Sequence, residues 1–280
     1  MIVTLRSGAD SAAVQRELVG RGLWVRRFSA GGRVQFYVEQ GSAQVPAADL
    51  EGIDGVESVA QEPSAHPLVD DHGPSVSIGD VEVGGASPVL VAGPCSVESE
   101  AQIHGIARRV AEAGGQILRG GAFKTRTSPY SFQGRGEPAL GWLREAADAA
   151  GLKVVTEVLS PEQAPLVARH ADMLQIGSRN MQNMPLLAAA AAQGRPILLK
   201  RGMAATTDEW LLAGEYCLLQ GAAGVVFCER GIRGFDARTR NLLDLGAVAL
   251  LAGVHRLPVL VDPSHATGRR DLLRPLSRAA

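Results

Sequence analysis

Leu118–Gly134, LRGGAFKTRTSPYSFQG, gathers the residue types that bind anions. Arg119, Lys124 and Arg126 fall within eight positions, with Thr127, Ser128, Tyr130, Ser131 and Gln133 among them. Guanidinium and ammonium groups pair with phosphate or carboxylate oxygens. Gly120 and Gly121 break a short apolar run, Gln116–Arg119, so the cations sit on a loop after a buried strand. α/β folds place ligands at such strand ends.

More cations recur in the same setting: Arg179 in QIGSRN, Lys200 and Arg201 in LLKRG, and Arg230 in CERG. Each alone would read as a surface ion pair, worth at most about 1 kcal/mol. Together they indicate a ligand with two or more anionic groups. No P-loop or G-x-G-x-x-G fingerprint occurs, so any phosphate belongs to a substrate rather than a nucleotide. Cys95, in AGPCS, and His265, in VDPSH, stand at the ends of the first and seventh barrel strands. A thiolate and an imidazole suit a divalent transition metal, though two ligands are fewer than such a site usually has. Cys217, on a helix, and Cys228, in a strand, read as core.

These residues need a scaffold. From Pro88 onward strands alternate with helices. The expected strands are Val89–Ala92, Gln116–Leu118, Lys153–Val158, Met173–Ile176, Pro196–Lys200, Gly224–Cys228 and Pro258–Asp262. The expected helices lie at Ala101–Ala113, Ala139–Ala150, Pro161–Ala171, Met184–Gln193, Thr207–Gln220 and Asn241–Ala252. Alternation implies parallel pairing with right-handed crossovers. Polar residues after nearly every strand favour a (β/α)8 TIM barrel, whose site lies at the C-terminal strand ends. Seven strands are counted, so the eighth β/α unit is missing from the sequence, and the first and seventh strands should keep unpaired edges.

Residues 1–63 form a separate small unit, with strands Ile2–Leu5, Leu23–Phe28, Val34–Val38 and Val56–Val59 and helices Ala9–Gly20 and Val45–Leu50. The order β-α-β-β-α-β is ferredoxin-like. Residues 64–87 read as a linker followed by a short hairpin, SVSIGDVEVGG, and residues 88–280 as the incomplete barrel.

The 280 residues, 46% hydrophobic and 20% charged, provide a sizeable core, and a net charge of −1 gives no general attraction to nucleic acid or membrane. Three unevenly spaced cysteines do not make a disulfide framework. With no signal-peptide pattern and no apolar run of transmembrane length, a cytoplasmic protein is expected.

The motifs AGPCS, LRGGAFKTRTSPYSFQG, TEV (Thr156–Val158), QIGSRNMQN (Gln175–Asn183), LLKRG, CERGIR, TRN (Thr239–Asn241) and VDPSH, in this order, resemble 3-deoxy-D-arabino-heptulosonate 7-phosphate (DAHP) synthase, in the bacterial group with an N-terminal ferredoxin-like regulatory domain. The resemblance is strong from Ile78 to Ala280 and weak over residues 1–63. It implies condensation of phosphoenolpyruvate with erythrose 4-phosphate, releasing phosphate, at the entry to the shikimate pathway. It implies that Arg119, Lys124, Arg179, Lys200 and Arg230 hold phosphoenolpyruvate, and that Arg126, Thr127 and Ser128 hold the aldose. Lys124 would be a proton donor or electrostatic clamp. Cys95 and His265 would hold a divalent metal (Mn, Fe, Co or similar).

The family's further Glu and Asp ligands, on an eighth strand and the loop after it, have no counterpart in this sequence, so low activity is expected of the 280-residue chain. An incomplete product and a short non-catalytic binding or regulatory subunit are the two readings of that. The alternative enzyme, 3-deoxy-D-manno-octulosonate 8-phosphate synthase, lacks the K-x-R-T-S-P signature of Lys124–Pro129. The family usually has Pro where Thr125 stands, so the loop should be less preorganised. By analogy a homo-oligomer, commonly a tetramer, is expected, with an aromatic amino acid as a possible effector of the N-terminal unit.

Overall fold

The computed structural model describes residues 1–30, 32–39, 41–61, 64–124, 128 and 130–280. Two compact units divide the chain, Met1–Ala65 and His66–Ala280.

In the first unit β1 (Ile2–Leu5), α1 (Ser11–Gly20), β2 (Val25–Ala30), β3 (Arg33–Val38), α2 (Ala47–Glu51) and β4 (Val56–Ala60) follow in order. The sheet order β2-β3-β1-β4 is antiparallel throughout, the ferredoxin-like arrangement. Helix α1 begins two residues later than Ala9, because the Asp10 carboxylate accepts the amides of Ala12 and Ala13 and caps it. Val14 and Leu18, four apart, meet Val3, Leu5 and Phe36 in the core.

The second unit opens with a one-turn helix, α3 (Pro67–Asp70), inside the stretch expected to be linker. Its signal is not periodicity. Glu215 accepts the Leu68 and Val69 amides at 3.1 and 2.8 Å, and Val69 is buried. The hairpin β5 (Val76–Ile78) and β6 (Val81–Val83) follows.

Then come β7 (Val91–Ala92), α4 (Glu100–Glu112), β8 (Ile117–Arg119), α5 (Glu137–Ala149), β9 (Lys153–Val158), α6 (Ala164–Ala168), β10 (Met173–Ile176), α7 (Met184–Ala191), β11 (Ile197–Lys200), α8 (Thr207–Leu219), β12 (Val225–Glu229), α9 (Leu245–Ala249), β13 (Val259–Val261), α10 (Pro263–Thr267) and α11 (Leu273–Ala279). Strands β7 to β13 form one parallel sheet in sequence order. This is the seven-stranded part of a (β/α)8 barrel.

Alternate residues along each strand face opposite ways. Val154, Leu174, Ile197, Leu199, Val225 and Phe227 pack outward against the helices. Ile117, Val155, Met173, Leu198, Val226 and Cys228 pack inward, where Val76, Ile78 and Val83 of the hairpin meet them. The same inward parity, two residues further along, is Arg119, Glu157, Gln175, Lys200 and Arg230. The core pattern therefore delivers those side chains to the C-terminal mouth.

Helix Asn241–Ala252 is a correction. The helix starts at Leu245, capped by the Asp244 carboxylate on the Ala247 amide, and passes into a π-turn over Leu250–Val254. Asn241 is used elsewhere. Between β7 and β13 lies a cavity of about 320 Å³, lined by residues 89–93 and 260–265 among others.

Candidate active site

Seven of the residues singled out by their sequence meet at one cavity of about 350 Å³: Cys95, Arg119, Lys124, Arg179, Lys200, Arg230 and His265. Glu157, Gln175, Ser178, Met203 and Arg240 share its wall. Six cations thus face one carboxylate, Glu157, which leaves a strong positive excess for an anionic ligand.

Each cation is held by its element. Arg119 ends β8 and donates from Nη1 to the Pro94 carbonyl at 3.2 Å, tying β8 to the Cys95 loop. That close approach requires Gly93. Its φ is +147°, and a Cβ there would lie 1.9 Å from the Arg119 carbonyl oxygen. Lys124 is buried at 7% exposure, its Nζ 4.0 Å from Glu157. Its amide donates to the Gln133 carbonyl at 2.9 Å, and Phe123 bridges Gly134, so both ends of the 124–133 loop are pinned. Arg230 is buried, and among the described residues its Nη1 has no hydrogen-bond partner. Arg230 itself lines the cavity, so its charge adds to the positive wall offered to an anion.

At the other wall, Asp262 organises three groups. Lys200 Nζ lies 2.6 Å from its Oδ2, and His265 Nδ1 the same distance. Its Oδ1 accepts from Ser264 Oγ and the His265 amide at 2.8 and 3.0 Å. Burial works to raise this carboxyl, but the His265 hydrogen bond and the Lys200 charge overcome it and hold it well below the carboxylate range. With Nδ1 committed to Asp262, His265 Nε2 faces Cys95 Sγ at 4.0 Å. The Cys95 thiol falls to about 5, through the His265 hydrogen bond first, with Arg119 and Lys124 adding to it against the cost of burial. Cys217 and Cys228 are pushed up to about 12 by burial.

A thiolate sulfur and an imidazole nitrogen at this separation are spaced about as two donors on one ion. Cys95 and His265 therefore fit part of a metal site. A second cluster, Glu100, His104 and Glu145, brings its ligand atoms within 4.8 Å of one another on α4 and α5. None of the three lines the cavity.

Three expected residues remain, Arg126, Thr127 and Ser128. Arg126 and Thr127 lie outside the described residues, as does Thr125. Ser128 is exposed, its Oγ accepting the Tyr130 amide at 3.3 Å, and does not line the cavity. Arg201, expected at the same rim, is a correction. One residue past Lys200 the strand's alternation turns it away, into a buried network with Glu229 (3.1 Å) and Asp244 (2.9 Å), above the Trp210 ring. Asp262, Gln175, Ser178, Met203 and Arg240 had no assigned role in the sequence. For Asp262 a signal existed, since an acid three residues before a ligand-type histidine can orient its ring from the same helical turn.

The sequence pattern of the DAHP synthetase I family matches residues 59–280. Phospho-2-dehydro-3-deoxyheptonate aldolase of Thermotoga maritima is 48% identical over 240 residues, covering 84% of this chain and 71% of the relative. A 2-dehydro-3-deoxyphosphooctonate aldolase of Rhodopseudomonas palustris is 32% identical over 228 residues, covering 74% and 78%. The crystal structure of phospho-2-dehydro-3-deoxyheptonate aldolase (DAHP synthase) from Thermotoga maritima superposes with a TM-score of 0.75 at 42% identity, over 100% of this chain and 84% of that one. With its barrel strands, its cationic mouth and its sequence all in agreement, the chain belongs to the DAHP synthetase I family.

Proposed function

We propose that this cavity holds phosphoenolpyruvate through Arg119, Lys124, Arg179, Lys200 and Arg230 while it condenses with erythrose 4-phosphate. The reaction is that of the family: DAHP and phosphate are formed, at the entry to aromatic amino-acid biosynthesis. The observation that carries the assignment is the excess of cations over carboxylates lining the cavity. Phosphoenolpyruvate brings a phosphate and a carboxylate, and several fixed forks and ammonium groups match those charges. Arg126, Thr127 and Ser128 are assigned to the aldose phosphate by their place in the motif.

Joining the enol carbon to the aldehyde carbon leaves charge on the aldehyde oxygen. Lys124 Nζ, buried beside Glu157, is placed to give that oxygen a proton or to clamp its charge. The family generally uses a divalent metal ion. Cys95 and His265 would hold it here, with Asp262 fixing the imidazole, and the ion would supply Lewis-acid polarisation of the aldehyde.

The eight-carbon synthase reading is weaker: its representatives match at 32% identity against 48%. Residues 1–65 we read as a regulatory unit. Their groove, lined by Tyr37, Glu39, Ser42, Gln44 and Gln61 among others, offers both apolar and polar contacts to an amino-acid effector. A cytoplasmic homo-oligomer completes the reading. No helix among the described residues is long and apolar enough to cross a membrane.

Calorimetric titration with phosphoenolpyruvate tests the site. One equivalent should bind, and Arg230→Ala should weaken it by at least about tenfold, the value of one charged hydrogen bond. Unchanged binding in that variant would remove the assignment. Arg126→Ala should raise the KM for the aldose more than that for phosphoenolpyruvate. Equal effects would contradict the division of the site.

A further inference from the structure

Arg240, the middle residue of the motif Thr239–Asn241, lines the same cavity as Arg230 and His265. Its backbone is fixed. The Arg240 amide donates to the Thr267 carbonyl at 3.0 Å, and the Asn241 amide to that of Ala266 at 2.8 Å. Asn241, buried, donates from Nδ2 to the His265 carbonyl at 3.3 Å. Ile232 and Leu242 exchange two backbone hydrogen bonds, at 2.9 and 2.8 Å, across the base of the loop. Arg240 is therefore anchored to the same short segment that carries His265.

Its guanidinium lies over Gly268. There φ is +67°, and a Cβ would come within 3.0 to 3.2 Å of Nε, Cζ and Nη2. A glycine both ends α10 in the left-handed conformation and makes room for the fork. Among the described residues the guanidinium makes no side-chain hydrogen bond and no ion pair. Arg201, Arg144 and Arg269 each have carboxylate partners.

Arg240 acts on its neighbour too. Burial is the main cause that lowers the Arg230 pKa, Asp262 and Cys228 oppose it, and the Arg240 charge adds to the lowering. Two guanidinium groups lining one cavity, each within the other's electrostatic reach, repel until an anion joins them. A carboxylate brings a single charge. A phosphoryl group brings about two charges and three terminal oxygens, enough for both forks.

We propose that Arg240 is a further substrate-binding residue that shares with Arg230 the phosphoryl group of phosphoenolpyruvate. The proposal rests on the reading that this cavity takes phosphoenolpyruvate. The test is calorimetric titration of the full chain, and of Arg240→Ala, Arg240→Gln and Arg240→Lys, with phosphoenolpyruvate and with inorganic phosphate. Loss of the fork should weaken both ligands by about 10- to 100-fold in the Ala and Gln variants, the range of one or two charge-assisted hydrogen bonds. Lys, which keeps the charge and loses the fork, should recover part of that loss. Melting temperatures should not move, because the side chain has no protein partner to lose.

If the unaltered chain binds and Arg240→Ala and Arg240→Gln bind equally well, the role of Arg240 is refuted and the cavity keeps its ligand. If the unaltered chain binds neither compound, the reading of the cavity falls and the proposal with it.

Discussion

Replacing Arg201 by Met should unfold the mouth of the barrel more readily than any exchange of its partners. Glu229 has no exposure to solvent, and Arg201 only 6% of its side chain. Removing the cation leaves Glu229 with the Gly231 amide at 2.6 Å as its remaining hydrogen-bond partner. Breaking a buried pair from one side costs about 3–5 kcal/mol, because the other charge stays buried. The contact with the Trp210 ring, 5.7 Å from the guanidinium, contributes about 0.5–1 kcal/mol of its own. Glu229→Gln is milder. Arg201 keeps Asp244, and the amide oxygen can still accept from Gly231, so about 1–3 kcal/mol is expected.

For a unit of this size each kcal/mol moves Tm by about 2–4 °C, which places Arg201→Met about 6–20 °C below the parent. Thermal melts followed by circular dichroism read this directly. Phosphoenolpyruvate affinity should fall alongside, since the network anchors both ends of the segment from Arg230 to Asp244. A shift below about 2 °C for Arg201→Met, or a larger one for Glu229→Gln, would refute the argument.

Other consequences follow from the same geometry. In the metal-free protein, iodoacetamide should modify Cys95 and spare Cys217 and Cys228. Its rate should be flat above about pH 6 and fall as pH drops through about 5, as peptide mapping would show. A rate that rises up to pH 9 would mean the thiolate is not held by His265. Asp262→Asn should weaken divalent-metal binding by about 10–100-fold, the usual cost of losing the group that orients a ligand histidine. Because the folded carboxyl is depressed, the stability Asp262 contributes is complete above about pH 5. It shrinks as pH falls below about 4, so parent and variant should converge in acid denaturation. Trp210→Ala, which removes a fully buried ring packed edge-to-face on Phe227 and hydrogen-bonded to the Leu199 carbonyl, should cost about 3–5 kcal/mol in urea unfolding.

Much of this was legible in the residues because one rule, alternation along a strand, governs both core and site. Val155 then Glu157, and Leu198 then Lys200, put core and ligand residues on the same face. The same rule turns Arg201, next to Lys200, away from the cavity and toward Glu229 and Asp244. Asp262 was seen as polar but not as the group that joins Lys200 to His265, because that junction spans 62 residues and exists only after the sheet curls. Helix α3 is invisible in the local sequence for a related reason. Its capping partner, Glu215, lies 146 positions away from Val69. The start of α9 was misplaced because Leu242 and Leu243 continue the apolar pattern, while Asn241 and Leu242 are bonded to other loops. Local signals found elements; the long-range bonds decided their ends.

In the function proposed here, this mouth joins phosphoenolpyruvate to a four-carbon aldose phosphate. Its most direct test is release of inorganic phosphate from phosphoenolpyruvate by the metal-loaded chain. Erythrose 4-phosphate should support release and yield a seven-carbon product. The rate should be low, as a site with two metal ligands implies, and release that depends instead on a five-carbon aldose phosphate would contradict the claim.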